Sequence, residues 1–292
     1  MSTTANRVAL SDLHCPLVNA STLVDLYDYF LLDAYGVLVH ATDAIAGAER
    51  FLEEIAFAKK DFLVVTNDAS RLPETASARF AEYGLTVRPE QVLTSGSLLA
   101  PFFDKRGMSG ARCMVLGPED SHQYVRLAGG EPLGPSIDAS FDALVICDDA
   151  GYPFLESMDT ILSNLYRHYD RGESPVLILP NPDLIYPKGS ASYGFTSGAA
   201  ALILESAIAQ RYPSERASFV RLGKPFGPMF REVKRLAPGP NMVMVGDQIE
   251  TDIIGARSAG IDAALVDSGI AKWDSTMVEA TRAPTYRLTG LG

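Results

Sequence analysis

Apolar positions in this chain fall in short blocks that end abruptly at polar residues. Tyr29-Phe30-Leu31-Leu32, Phe62-Leu63-Val64-Val65, Phe219-Val220-Arg221-Leu222 and Met242-Val243-Met244-Val245 are each about four residues long. Consecutive apolar residues cannot alternate between core and water, so these blocks predict strands covered on both faces, as parallel strands are. Between them lie stretches of helical spacing. Ala44 to Lys60 places Ala48, Phe51, Leu52, Ile55 and Ala56 on one stripe and ends in two lysines, which suit a helix carboxyl end. Further helices are expected from about Pro73 to Tyr83, ended by Gly84, from Ser95-Gly96 after a short strand at Val92-Leu93, and from Thr251 and Asp252 through Ala259. A short helix is expected within residues 12 to 28, and Ala263 to Val266 reads as the last core strand.

From about Leu98 to Arg216 the pattern restarts. Cys113 to Leu116, Ala143 to Cys147 and Val176 to Leu179 read as strands, with helical segments near Asp120 to Leu127 and Leu155 to Tyr169. This is a βαβαβ unit large enough to be a second domain. Pro180 to Pro187 reads as a rigid loop, and Ser197 to Gln210 as a helix of small residues. The strand pattern of the first domain is expected to resume at Phe219.

Composition narrows the class. With 292 residues, 47% hydrophobic and 21% charged, the chain has ample material for a packed core. A formal charge of −11, with no run among the 25 Lys and Arg residues, argues against nucleic acid as a partner. Cys15, Cys113 and Cys147 are an odd number without a CxxC pair, which suits reduced thiols in a cytoplasmic protein. Met1 to Leu10 lacks the apolar run of a signal peptide, and no stretch approaches 18 uninterrupted apolar residues, so no membrane span is expected. His14, His40, His122 and His168 are scattered without ligand spacing and read as surface or satisfied residues.

The polar residues at the strand ends carry the chemistry. Four strands stop at Asp33, at Thr66-Asn67-Asp68, at Gly223-Lys224 and at Gly246-Asp247 with Asp252. In a parallel sheet such ends lie along one edge, where ligands bind. Gly36 lets the chain turn sharply after Asp33. Asp33, Asp247 and Asp252 suit a hard cation such as Mg²⁺, which prefers oxygen ligands. A hydroxyl, a lysine and helix-start amides suit a phosphate group. The bland alternatives are a capping Asp33, a solvated Lys224 and helix-start acids at 247 and 252. Asp183 reads equally as a turn former or a substrate contact.

This ordered set resembles the four motifs of the haloacid dehalogenase-like (HAD) superfamily: a nucleophilic Asp, a Thr or Ser, a Lys and a terminal acidic pair. The large insertion between the second and third motifs, Thr66-Asn67 and Asn181-Pro182-Asp183 are similar to class IIA members, which include 4-nitrophenylphosphatases and nucleotide and sugar phosphatases. The resemblance implies an α/β fold with a Rossmann-like, doubly wound parallel-sheet core at residues 1–97 and 217–292, and a large α/β cap domain inserted at 98–216. It implies that Asp33 attacks phosphorus to form an aspartyl-phosphate, that Thr66, Asn67, Asp68 and Lys224 meet the phosphoryl group, and that Asp183 contacts substrate. Mg²⁺ would be held by Asp33, the residue 35 carbonyl, Asp247 and Asp252, with a small phosphorylated metabolite as substrate and a homodimer built through the caps.

One position departs from the pattern. Phosphatases of the superfamily carry a second Asp two residues after the nucleophile, as acid and base, and this chain has Tyr35. A phenol of pKa about 10 is a poor base at neutral pH, and a positioned acid or base contributes about 10² to 10⁴ in rate. Asp33-Ala34-Tyr35-Gly36 is similar to 2-haloacid dehalogenases, which attack carbon without metal. The retained acidic pair and the large insertion point instead to phosphoryl chemistry. A third reading, a phosphate-ligand-binding protein with little turnover, keeps every motif except the proton donor.

Overall fold

The computed structural model describes residues 15–137, 139–189, 192–214, 217–237, 239, 241–267 and 282–292. His14 and the stretch read for a signal peptide lie outside them. In chain order the strands are β1 (Leu17–Val18), β2 (Tyr29–Leu32), β3 (Asp61–Thr66), β4 (Val92–Thr94), β5 (Arg112–Leu116), β6 (Glu131–Leu133) and β7 (Ala143–Ile146). They continue with β8 (Val176–Leu179), β9 (Ile185–Gly189), β10 (Ser192–Phe195), β11 (Val220–Arg221), β12 (Met242–Gly246), β13 (Asp262–Val266) and β14 (Tyr286–Leu288). They divide between two compact units. One comprises the described residues up to Leu63, Tyr83–Thr86 and those from Ala237 onward; the other comprises Val64–Glu82 and Val87–Leu236.

In the first unit the strands β1-β14-β13-β12-β2 lie side by side, all parallel. Leu31 faces Met244 and Leu32 faces Val245 across the ladder, and Phe30 to Leu32 and Val243 to Val245 are sealed from solvent. Continuous apolar runs are thus what a sheet covered on both faces requires. Helix Ala48–Phe57 buries Ala48, Phe51, Leu52 and Ile55, and the Phe51 ring meets Phe30 edge-on at 5.8 Å. Full burial of each ring stabilises the unit by about 2 kcal/mol. Lys60 sends its ammonium to the carbonyls of Val24 and Tyr27, at the carboxyl end of the preceding helix Ala20–Leu26. Val266 does not end the core strands: β14 follows and pairs with β13. That strand is three residues with Arg287 at its centre, so no apolar run announces it.

The second unit holds the paired ends of β3 and β4 and a five-stranded parallel sheet in the order β11-β8-β7-β5-β6. The strand at Phe219 to Leu222, expected to continue the first domain, pairs instead with β8, and Leu222 donates to the Leu179 carbonyl. Phe219 is packed into the core of this sheet with Leu144, Ile161 and Leu204, which decides the partner by apolar contact. Helices Phe154–Asp170 and Ser197–Arg211 cover it, burying Ile161 and Leu165 from one and Ala200, Leu204 and Ile208 from the other. The segment read as a loop up to Pro187 enters an antiparallel hairpin of β9 and β10. Proline is tolerated there because a two-stranded ribbon leaves one row of amides unpaired. Two parallel sheets with helices are the expected α/β architecture. Among the described residues no helix is long and apolar enough to cross a membrane.

Candidate active site

In the first unit the β2 and β12 ends bring three acids together. Asp33 follows β2; its amide donates to the Val245 carbonyl at 3.0 Å and its Oδ1 accepts the Ala34 amide at 2.8 Å. Asp247 follows β12, and Asp252 lies in the wide helical turn Ile249–Ile253, where its Oδ2 accepts the Gln248 amide at 3.1 Å. All three are buried, and each offers a carboxylate oxygen within 4.8 Å of the others. At that spacing two charges repel by about 3 kcal/mol in an effective dielectric of about 20. A cation relieves this. The helix-start reading explains the Asp252 contact with Gln248 but not why three acids share one buried place.

Two glycines make the gathering possible. Gly36 has φ +83°, and a Cβ there would collide with the Asp247 carboxylate. A Cβ on Gly246 would strike the Asp252 side chain. Tyr35 sits half-buried in a tight turn in which the Gly36 amide donates to the Val39 carbonyl and the Leu38 and Val39 amides to that of Ala34. The donor set, all hard oxygen, fits Mg²⁺.

The second unit gathers the remaining candidates. The Asn67 side chain is the clasp: its Nδ2 donates to Asp183 Oδ1 at 2.8 Å and to the Lys224 carbonyl at 3.0 Å, and its Oδ1 accepts the Lys224 amide at 2.7 Å. Asp183 is braced from behind by its own amide on Asn181 Oδ1. A Cβ on Gly223 would press on Asn67 Oδ1, so the glycine before the lysine is needed for the clasp to close. Thr66 Oγ1 accepts the Asp68 amide, and the Asp68 carboxylate turns to Ser70 and to Arg71 at 2.9 Å. Lys224 is 2% exposed. A buried ammonium requires anionic company. Thr66, Asn67, Asp183 and Lys224 are therefore brought together, with the side-chain carboxamide of Asn67 spent on holding protein. Asp148 escaped the sequence reading, although it too closes an apolar strand run, Ala143 to Cys147.

A family model described as haloacid dehalogenase-like hydrolase matches residues 30–131, and a second, HAD-hydrolase-like, matches 221–291. The first spans Asp33 and Thr66, the second Lys224, Asp247 and Asp252. Dihydroxyacetone phosphatase from Corynebacterium glutamicum is 30% identical over 243 residues, covering 82% of this chain and 81% of that protein. A HAD-superfamily protein from Cytophaga hutchinsonii, described as a possible sugar phosphatase, superposes with a TM-score of 0.82 at 27% identity, covering 95% of this chain and 98% of its own. Glycerol phosphate phosphatase from Mycobacterium tuberculosis in complex with calcium gives 0.76 at 25% identity over 92% and 75% of the two chains. Its magnesium complex, at 24% identity and 0.76 over 92% and 76%, shares the fold. On this relationship along most of both chains, the protein belongs to the haloacid dehalogenase-like hydrolases.

Proposed function

We propose that this protein is a Mg²⁺-dependent phosphatase of small phosphorylated metabolites, such as sugar phosphates or nucleotides, acting through Asp33. The observation that carries the reading is the buried triad Asp33, Asp247 and Asp252, whose gathered carboxylate oxygens could hold a cation. Dehalogenases of this superfamily need no metal, so the triad favours phosphoryl over carbon chemistry. The relatives named as phosphatases support the same choice. Three free cysteines agree with a cytoplasmic setting.

When bound, Mg²⁺ neutralises charge on the transferring phosphoryl group. The protein supplies the rest. An Asp33 carboxylate oxygen forms a bond to phosphorus as the bond to the leaving oxygen breaks, and that oxygen departs with the electron pair and takes a proton from water. Water then adds to phosphorus and the Asp33 oxygen leaves as carboxylate, releasing phosphate. Thr66 and Lys224 hold the phosphoryl oxygens, and Asn67 sets the Lys224 backbone. Positioning and charge stabilisation account for most of the rate enhancement in phosphoryl transfer. Tyr35 by itself favours a second reading, a phosphate-ligand binder with little turnover.

Phosphate release from a panel of phosphomonoesters including 4-nitrophenyl phosphate, with Mg²⁺ and with chelator, tests this. Release that needs Mg²⁺ and is lost in Asp33→Asn is expected. Binding without release from any ester would move the assignment to the second reading.

A further inference from the structure

The parallel ladders of the second unit align the ends of neighbouring strands. Ile146 of β7 is level with Leu116 of β5, Val145 with Ile178 of β8, and Leu179 with Arg221 of β11. Asp148 and Asn181 therefore stand three residues beyond the matched Val145 and Ile178 on adjacent strands, and Lys224 three residues beyond β11. Two strand spacings, about 10 Å, separate the strand of Asp148 from that of Lys224. The edge is firmly tied. Ser197 Oγ reaches the Asn181 and Cys147 carbonyls, Ser121 Oγ donates to the Ala69 carbonyl, and Tyr124 Oη to that of Arg71, which fixes the loop after Thr66 against the end of β5.

Asp148 is half-buried. Its Oδ1 accepts the Ala150 amide at 2.9 Å, and Oδ2 takes no hydrogen bond from any described residue. Burial pushes its carboxyl up to about 6; Asp149 and Asp68 add to the rise, while the Ala150 amide and Arg71 oppose it. The other titratable groups facing it are Tyr152, whose hydroxyl donates to the Asp148 carbonyl, and the buried Cys147 thiol, both held neutral by burial. The surroundings thus carry two carboxylates against one guanidinium, on the edge that also presents Lys224.

We propose that Asp148 is a specificity-determining residue that accepts a hydrogen bond from a hydroxyl on the organic part of the substrate and repels a carboxylate in the same place, selecting phosphate monoesters of small uncharged polyols. The proposal rests on the phosphatase reading and deepens it. The span of about 10 Å from strand to strand suits a three-carbon ester whose phosphoryl group meets Lys224 and whose far hydroxyl meets Asp148.

The test compares glycerol 3-phosphate with 3-phosphoglycerate, which replaces the terminal hydroxymethyl by a carboxylate. Wild type is expected to favour the polyol ester at least tenfold in kcat/KM at pH 7.5. That preference shrinks as pH falls through about 6, because a protonated Asp148 no longer repels; the phosphate ionisation common to both esters cancels in the ratio. Asp148→Asn keeps a hydrogen-bond acceptor and loses the charge, so its ratio falls to within about threefold and no longer varies with pH, chiefly through gain on the acid. A wild-type ratio near one, or an Asp148→Asn ratio unchanged from wild type, overturns the proposal. Should neither ester release phosphate, the phosphatase reading fails on its own, and calorimetric binding of the same two compounds decides: equal wild-type affinities overturn the role of Asp148.

Discussion

At the scale of single residues, the proposed mechanism turns on what lies two positions beyond Asp33. In that mechanism Tyr35 offers a phenol where a carboxyl would donate and accept the proton, so departure of the leaving oxygen would depend on its own acidity. Hydrolysis rates are therefore expected to fall steeply from aryl to alkyl phosphates, measured across a series of leaving-group pKa. Tyr35→Asp should raise the alkyl end by about 10² or more. A flat series in the wild type would remove Tyr35 from that position in the mechanism. Asp33, Asp247 and Asp252 were legible in the sequence because each closes, or closely follows, an apolar strand. Asp148 obeys the same rule and was passed over, since its strand lies outside the four motif-bearing ones. Nothing in a sequence shows that Arg71 turns back on Asp68, because that pairing depends on the local fold of the loop.

At the scale of elements, Asn67 joins three segments that are far apart in the chain. Its three hydrogen bonds hold the loop after β3, the turn at Asp183 and the turn at Lys224. Asn67→Ala leaves buried polar partners unsatisfied, and each typically costs about 1–3 kcal/mol. Urea unfolding should show a loss of that order, and phosphate affinity should weaken with it because the Lys224 backbone is released. Unchanged stability would mean that Lys224 is held by other contacts. The strands themselves were readable from apolar runs and the long helices from their stripes, since burial on one or both faces imposes those periods. The β9–β10 hairpin was not readable, because Pro182 and Pro187 signal a loop as strongly as an edge strand. Strand pairing is invisible to local pattern: β11 reads the same whichever sheet receives it.

At the scale of the whole molecule, three buried acids that repel one another should weaken the folded state until a cation joins them. A ligand present at 100 times its Kd stabilises a fold by about 2.7 kcal/mol. Saturating Mg²⁺ is expected to raise Tm by roughly 5–10 °C in wild type, taking about 2–4 °C per kcal/mol for a protein somewhat smaller than this one. Asp247→Asn should abolish most of the rise, read by differential scanning fluorimetry with and without chelator. An equal rise in the variant would place the cation elsewhere.

The pairing of β11 with β8 bears on how such enzymes acquire new substrates. Exchange of caps between relatives is an obvious route to altered selectivity, and residues 98 and 216 are the joints that the sequence pattern alone suggests. A graft cut there would bring in a foreign β8 and ask the resident Val220–Arg221 to pair with it, three residues before Lys224. The lysine travels with the insertion, not with the frame around it. Successful chimaeras should carry the donor sequence through that turn, and in a lineage the cap and its lysine strand should be inherited as one piece.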